Sequence, residues 1–135
     1  MNSGEQSVPE SVPEMVTLMT CDTRDEAALV RYGLKLRQIP SAVSVPRGSI
    51  VPGRKPRPIE VLVPRESLKR AREAIDYITG AVHGDGIAVT PDQRCAFCAY
   101  DMSGLGSITI CPECGTDLAS ESAKRLARRR IAPDA

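Results

Sequence analysis

Aromatic side chains are scarce in this chain: there is no Trp, one Phe and three Tyr among 135 residues. A core built on large rings is therefore excluded, and any apolar interior must be aliphatic. Histidine occurs once, as His83, so there is no second histidine to pair with a nucleophile or to complete a histidine-rich metal site. No apolar run approaches the roughly 20 residues that a bilayer span needs, and no membrane partner is expected. Met1 to Glu14 lacks the charged-then-apolar pattern of a secretory signal. The chain therefore reads as soluble and cytoplasmic. Net charge is also nearly absent: 18 Lys and Arg against 17 Asp and Glu leave +1, so overall charge implies no polyanionic partner. No G-x-G-x-x-G follows a strand pattern, and there is neither a P-loop nor a G-x-S-x-G elbow. A non-enzymatic protein is the expectation.

Proline and glycine, by contrast, are plentiful, at eleven and ten residues, and they punctuate the chain. Residues 1–14 contain a tandem Ser7-Val8-Pro9-Glu10, Ser11-Val12-Pro13-Glu14. Proline every fourth residue blocks both helix and ladder, and little apolar bulk is available to bury, so this arm is expected to be disordered. Met15 to Cys21 alternates as a strand, with Val16 and Leu18 on one face and Met15 and Met19 on the other. Thr23 to Glu26 has the spacing of a capping box. The helix it opens, to about Arg37, carries Ala27, Leu29, Val30, Gly33, Leu34 and Leu36 over about half its circumference, a stripe broad enough to need a sheet beneath it.

Ile39-Pro40 ends that helix, and Ala42 to Val45 reads as a short second strand. Residues 46–57 hold three prolines and two glycines, with Arg47, Arg54, Lys55 and Arg57 and no acid among them. This basic loop is the candidate partner-binding element. Ile59, Val61 and Val63 alternate as a third strand. A second helix over 65–79 shows a narrow Leu68, Ala71, Ala74, Ile75, Ile78 stripe with Gly80 as its stop. Residues 80–93 read as a linker, with 87–90 as a possible further strand. The order β-α-β-β-α(β) is that of an α+β, ferredoxin-like domain over 15–79, with both helices on one face of the sheet.

Five cysteines in a cytoplasmic chain point to metal or redox chemistry rather than to a disulfide framework. Four of them form Cys95-x₂-Cys98 and Cys111-x₂-Cys114, twelve residues apart. Two residues between cysteines let both thiolates of a knuckle face one ion, and two knuckles complete a tetrahedral shell. Thiolates select zinc, and a shell of four leaves no open position. One structural Zn²⁺ per chain is therefore expected, bound by Cys95, Cys98, Cys111 and Cys114 within a ribbon over 94–118. A unit of that size cannot fold without its metal. Chelation is expected to unfold it and to leave 15–79 folded.

Other features have ordinary readings. Cys21, at a strand end, reads as a small buried residue, and His83 as a solvated linker residue. Phe97 and Tyr100 are expected to cover the metal knuckle as its miniature core, rather than to stack bases. The tail over 119–135 suits a short helix bearing Lys124, Arg125, Arg128, Arg129 and Arg130, weak unless it docks.

Met15-Val16-Thr17-Leu18, Glu26-Ala27, Leu34, Ile39-Pro40, Ile59-Glu60-Val61-Leu62-Val63-Pro64 and Ala71-Arg72-Glu73-Ala74 resemble a small bacterial family of signal-transducing proteins. The match covers about 15–79. It implies a ferredoxin-like fold and a role in binding or signalling, with no ligand and no catalytic residue. Gln38 stands where that family usually has glycine. Cys95-Ala-Phe-Cys98-Ala-Tyr100-Asp101-Met-Ser-Gly104-Leu105 and Cys111-Pro-Glu-Cys114-Gly115 are similar to short bacterial zinc ribbons, with Ala99 in place of the usual knuckle glycine.

The leading expectation is a zinc-binding adaptor or regulatory protein that acts on a protein partner, and a homodimer formed over the open sheet face is a further possibility. Two alternatives remain open at this point. One is a nucleic-acid-binding ribbon that grips phosphates with the Arg-rich tail. The other is a thiol-redox or rubredoxin-like electron carrier.

Overall fold

A computed structural model describes residues 14–45, 58–80, 86–106 and 108–129. The proline-rich arm up to Pro13, the basic loop with Arg47, Arg54, Lys55 and Arg57, and His83 lie outside the described residues.

The described chain is α+β, with three strands and three helices. They run in the order β1 (Met15–Cys21), α1 (Arg24–Leu36), β2 (Ala42–Ser44), β3 (Ile59–Pro64), α2 (Leu68–Ile78) and α3 (Glu121–Ala127). The sheet order is β1-β3-β2 and both pairings are antiparallel. β1 and β2 are therefore parallel, with β3 inserted between them as in a split β-α-β unit.

β3 shows why the sheet has one dry face. Ile59, Val61 and Val63 are buried, while Glu60 and Leu62 between them point to the other side. On β1 the register shifts between Thr17 and Met19. The extra residue at this bulge resets the alternation. Val16, Met19 and Cys21 therefore share the dry face, opposite Val63, Val61 and Ile59, and the expected split of Val16 from Met19 does not occur. The outer face carries Thr17, Thr20, Ser44 and Glu60 around Ala42 and Leu62, with the Thr17 hydroxyl donating to Glu60 Oε1 at 3.2 Å.

α1 starts at N-cap Thr23, whose Oγ1 accepts from the Glu26 amide at 3.1 Å. The return bond of a capping box is replaced. Glu26 is buried and its carboxylate meets Arg125 of α3 at 3.3 Å. α1 ends in a Schellman turn, with Ile39 N donating to Leu34 O and Gln38 N to Lys35 O, both at 2.9 Å. Gln38 takes the left-handed φ of 62° that a glycine would adopt without strain. The second helical segment opens with a 3₁₀ turn over Arg65–Ser67 before α2 proper.

Two further expectations change, and the condition set for the tail helix is met. Residues 87–90 do not extend the sheet. Only an isolated bridge joins Val89 to Cys95, and the Ala88 amide donates to Leu118 O at 2.9 Å, so the polar groups of this segment are satisfied by the ribbon. Glu14, placed in the disordered arm, is tied to Arg65 by a backbone bond of 2.8 Å and an ion pair of 2.9 Å. The tail helix docks: Ala123, Leu126 and Ala127 are fully buried, and Gly80 N donates to Ala127 O at 2.6 Å.

α1 lies at the centre of the molecule and packs on β1, β3, α2 and α3. Phe97 and Leu118 from the cysteine segment and Leu126 from α3 join Leu34, Val61 and Ile78 in one continuous core. At Gly33, α1 passes so close to α2 and the first knuckle that an added Cβ would lie 2.8 Å from Ile78 Cδ1 and 3.8 Å from a Phe97 ring carbon. No helix among the described residues is long and apolar enough to cross a membrane.

Candidate metal centre

Each knuckle is built by the same backbone pattern. Cys95 N donates to Tyr100 O at 2.9 Å and Ala99 N to Cys95 O at 2.8 Å; Cys111 N donates to Thr116 O at 3.0 Å and Gly115 N to Cys111 O at 2.8 Å. The turn closes through a left-handed residue in both, Ala99 at φ 67° and Gly115 at φ 79°. Alanine at 99 therefore keeps the glycine-like conformation despite its Cβ. The turns aim amides at sulfur: Phe97 N donates to Cys95 Sγ at 3.3 Å, and the Cys98, Tyr100, Glu113 and Cys114 amides also reach the knuckle thiols.

The two knuckles converge. Cys95 Sγ lies 3.8 Å from Cys114 Sγ, and Cys98 Sγ lies 3.5 Å from Cys111 Sγ. All four sulfurs fall within 4.8 Å of one another, and all are free thiols. An ion bonded to four sulfurs at about 2.3 Å in a tetrahedron spaces them at about 3.8 Å. The donor set and its spacing thus fit a metal, and the four expected ligands are the ones brought together. Cys95 and Cys111 are buried, whereas Cys98 and Cys114 are half-buried.

The electrostatics point the same way. Burial pushes the Cys95 thiol up to about 11, partly offset by the Cys98 and Phe97 amides. Cys98 is also raised, by burial first and then by the neighbouring thiols. At Cys111 burial acts upward, but the Cys114 and Glu113 amides and the Cys98 thiol bring the net shift below the ordinary value. The neighbouring thiols thus favour ionisation at Cys111, oppose it at Cys98 and act in both directions at Cys95, and a bound cation favours the thiolate at all of them.

Two side chains, Tyr32 of α1 and Arg37 at its C-cap, hold the knuckles and were not singled out from sequence. The Tyr32 hydroxyl donates to Cys114 O at 2.6 Å. Arg37 Nη1 donates to Phe97 O at 2.7 Å and to Gly33 O at 2.9 Å, and the guanidinium sits 5.8 Å from the Tyr77 ring centroid. Burial lowers the Arg37 pKa, opposed by Tyr77, Cys98 and Cys95. Their sequence signal was indirect: the α1 stripe is broad because it serves both the sheet and the ribbon. Phe97 is fully buried, yet it packs into the common core rather than only over its own knuckle, while Tyr100 is 37% exposed.

Cys21 stays apart from the cluster. It is buried at the end of β1, and burial pushes its thiol up to about 11. Two tail cations are engaged: Arg125 with Glu26, and Arg129, whose Nη1 donates to Thr20 O at 3.0 Å. Compared with family models, with curated proteins and with solved structures, the chain matches none.

Proposed function

We propose that this chain is a non-enzymatic adaptor or regulatory protein whose metal centre is a structural Zn²⁺ site formed by Cys95, Cys98, Cys111 and Cys114. The observation that carries this reading is the closed set of four converging sulfurs, built on two knuckles that share the core of the sheet and helices. Four thiolates saturate a zinc ion and leave no position for substrate, so the metal contributes folding energy rather than chemistry. The α/β layer is read as ferredoxin-like, which the insertion of β3 between β1 and β2 supports. Arg125 and Arg129 each give a donor to a partner within the molecule, so part of the tail's basic charge serves its own docking.

The test is affinity capture with the zinc-loaded full chain and with its Cys111→Ser variant, followed by filter binding to DNA and RNA at low salt. A protein retained by the native chain in proportion to its zinc content supports the adaptor. Salt-dependent nucleic-acid binding without a protein partner overturns it.

A further inference from the structure

Arg37 is a half-buried cation, and among the described residues no carboxylate lies within ion-pair distance of it. Its Nη1 is instead fixed on two carbonyls, Gly33 O of its own helix and Phe97 O of the first knuckle. Phe97 is fully buried, lies between Cys95 and Cys98 in sequence, and itself donates to Cys95 Sγ. Arg70 Nη2 holds the Arg37 carbonyl at 2.8 Å, so the residue is anchored from both sides. A guanidinium taken partly out of water without an anion is costly, and such groups persist when an opposite charge faces them. Four thiolates around a divalent ion leave a net charge of about −2 at the site. The other arginine on this knuckle, Arg94, bonds Ala99 O at 3.1 Å but is exposed and lies 3.6 Å from Asp92, so its charge already has a partner.

We propose that Arg37 is the counter-cation of the four-thiolate centre, so that α1, and not the knuckles alone, sets how tightly the metal is held. The inference rests on the metal reading above. It makes Arg37 a positioning and charge-balancing residue, not a ligand.

The experiment is a zinc titration against a competing chelator on the full-length native chain, Arg37→Gln, Arg37→Lys and Arg94→Gln. The native chain is titrated first: failure to bind one zinc removes the metal reading itself, separately from the role of Arg37. With native binding intact, Arg37→Gln is expected to weaken zinc about 10- to 100-fold, the usual scale for an outer partner of a metal site. Arg37→Lys keeps the charge but loses the planar fork, and is expected to stay within about threefold of native, as is Arg94→Gln. Unchanged affinity in Arg37→Gln overturns the proposal. So does an equal loss in Gln and Lys, which assigns Arg37 to packing geometry rather than charge. If Arg37→Gln does not fold at saturating zinc, Arg37→Lys decides: affinity near native upholds the charge role, and a tenfold loss overturns it.

Discussion

Tyr32 in α1 and Cys114 in the second knuckle are 82 residues apart in sequence, and the tyrosine hydroxyl donates a 2.6 Å hydrogen bond to the cysteine carbonyl. The same helix holds the first knuckle through Arg37 and Phe97 O, 60 residues apart. Both halves of the cysteine cluster are thus referenced to one rigid element. Burial raises the Tyr32 pKa and the four cysteines add to the shift, as expected for a phenol facing them. The phenol therefore stays neutral and able to donate at physiological pH.

Tyr32→Phe removes one donor and leaves a half-buried carbonyl unpaired. A loss of about 1 kcal/mol is expected for such a bond, seen as a fall of a few degrees in the melting temperature of the metal-loaded protein. A melting temperature equal to native means that water replaces the phenol at no cost.

Metal removal tests the shared core. A tethered ribbon leaves the sheet untouched when its metal is taken, but Phe97, Leu118 and Leu126 pack with Leu34 and Ile78. Complete chelation is therefore expected to perturb amide signals of Tyr32, Gly33, Arg37 and Ile78 along with those of residues 94–118. Native-like signals across 15–79 after chelation identify two independent modules instead.

Backbone strain gives a prediction of opposite sign at related positions. Gln38 at φ 62° and Ala99 at φ 67° occupy the left-handed region, which costs a non-glycine residue about 1 kcal/mol. Gln38→Gly and Ala99→Gly relieve that strain, but glycine gives the unfolded chain more freedom. A net gain of about 0.5 kcal/mol each is expected by thermal or denaturant unfolding. At Gly115, φ is 79° and an added Cβ meets nothing within 4 Å. Gly115→Ala is therefore expected to lose about 0.5 kcal/mol, the left-handed cost of about 1 kcal/mol less what the stiffer unfolded chain returns.

Proton release follows from the thiol shifts. Burial holds Cys95 near 11 and raises Cys98 in the metal-free protein, so both carry protons at pH 7 and lose them on metal binding. Affinity therefore rises with pH, by about 100-fold per unit for two protons, and falls on acidification. Calorimetry in buffers of different ionisation enthalpy is expected to show at least about two protons released per metal. Release of none contradicts the thiol assignment.

Much of this architecture was legible in local pattern. β1, α1, β3 and α2 follow from periods of 2 and 3.6, and the two Cys-x₂-Cys pairs named the cluster directly. Where pattern failed, a distant group had intervened. Glu26 has the spacing of a capping box, but Arg125 takes its carboxylate across 99 residues. Val16 and Met19 share a face because a bulge falls between them. Residues 87–90 look like a fourth strand because Ile87 and Val89 alternate, yet Leu118, Ala96 and Arg94 claim the backbone groups of Ala88 and Thr90. Tyr32 and Arg37 carried no local signal, since their partners are created only when the ribbon folds onto α1.

The most direct test of the central claim is native mass spectrometry of the purified, reduced full-length chain, combined with elemental analysis. The account predicts one zinc per chain, lost together with protection of Cys95, Cys98, Cys111 and Cys114 from alkylation when chelator is added. A folded chain without metal, whose four thiols are open to alkylation from the start, contradicts it.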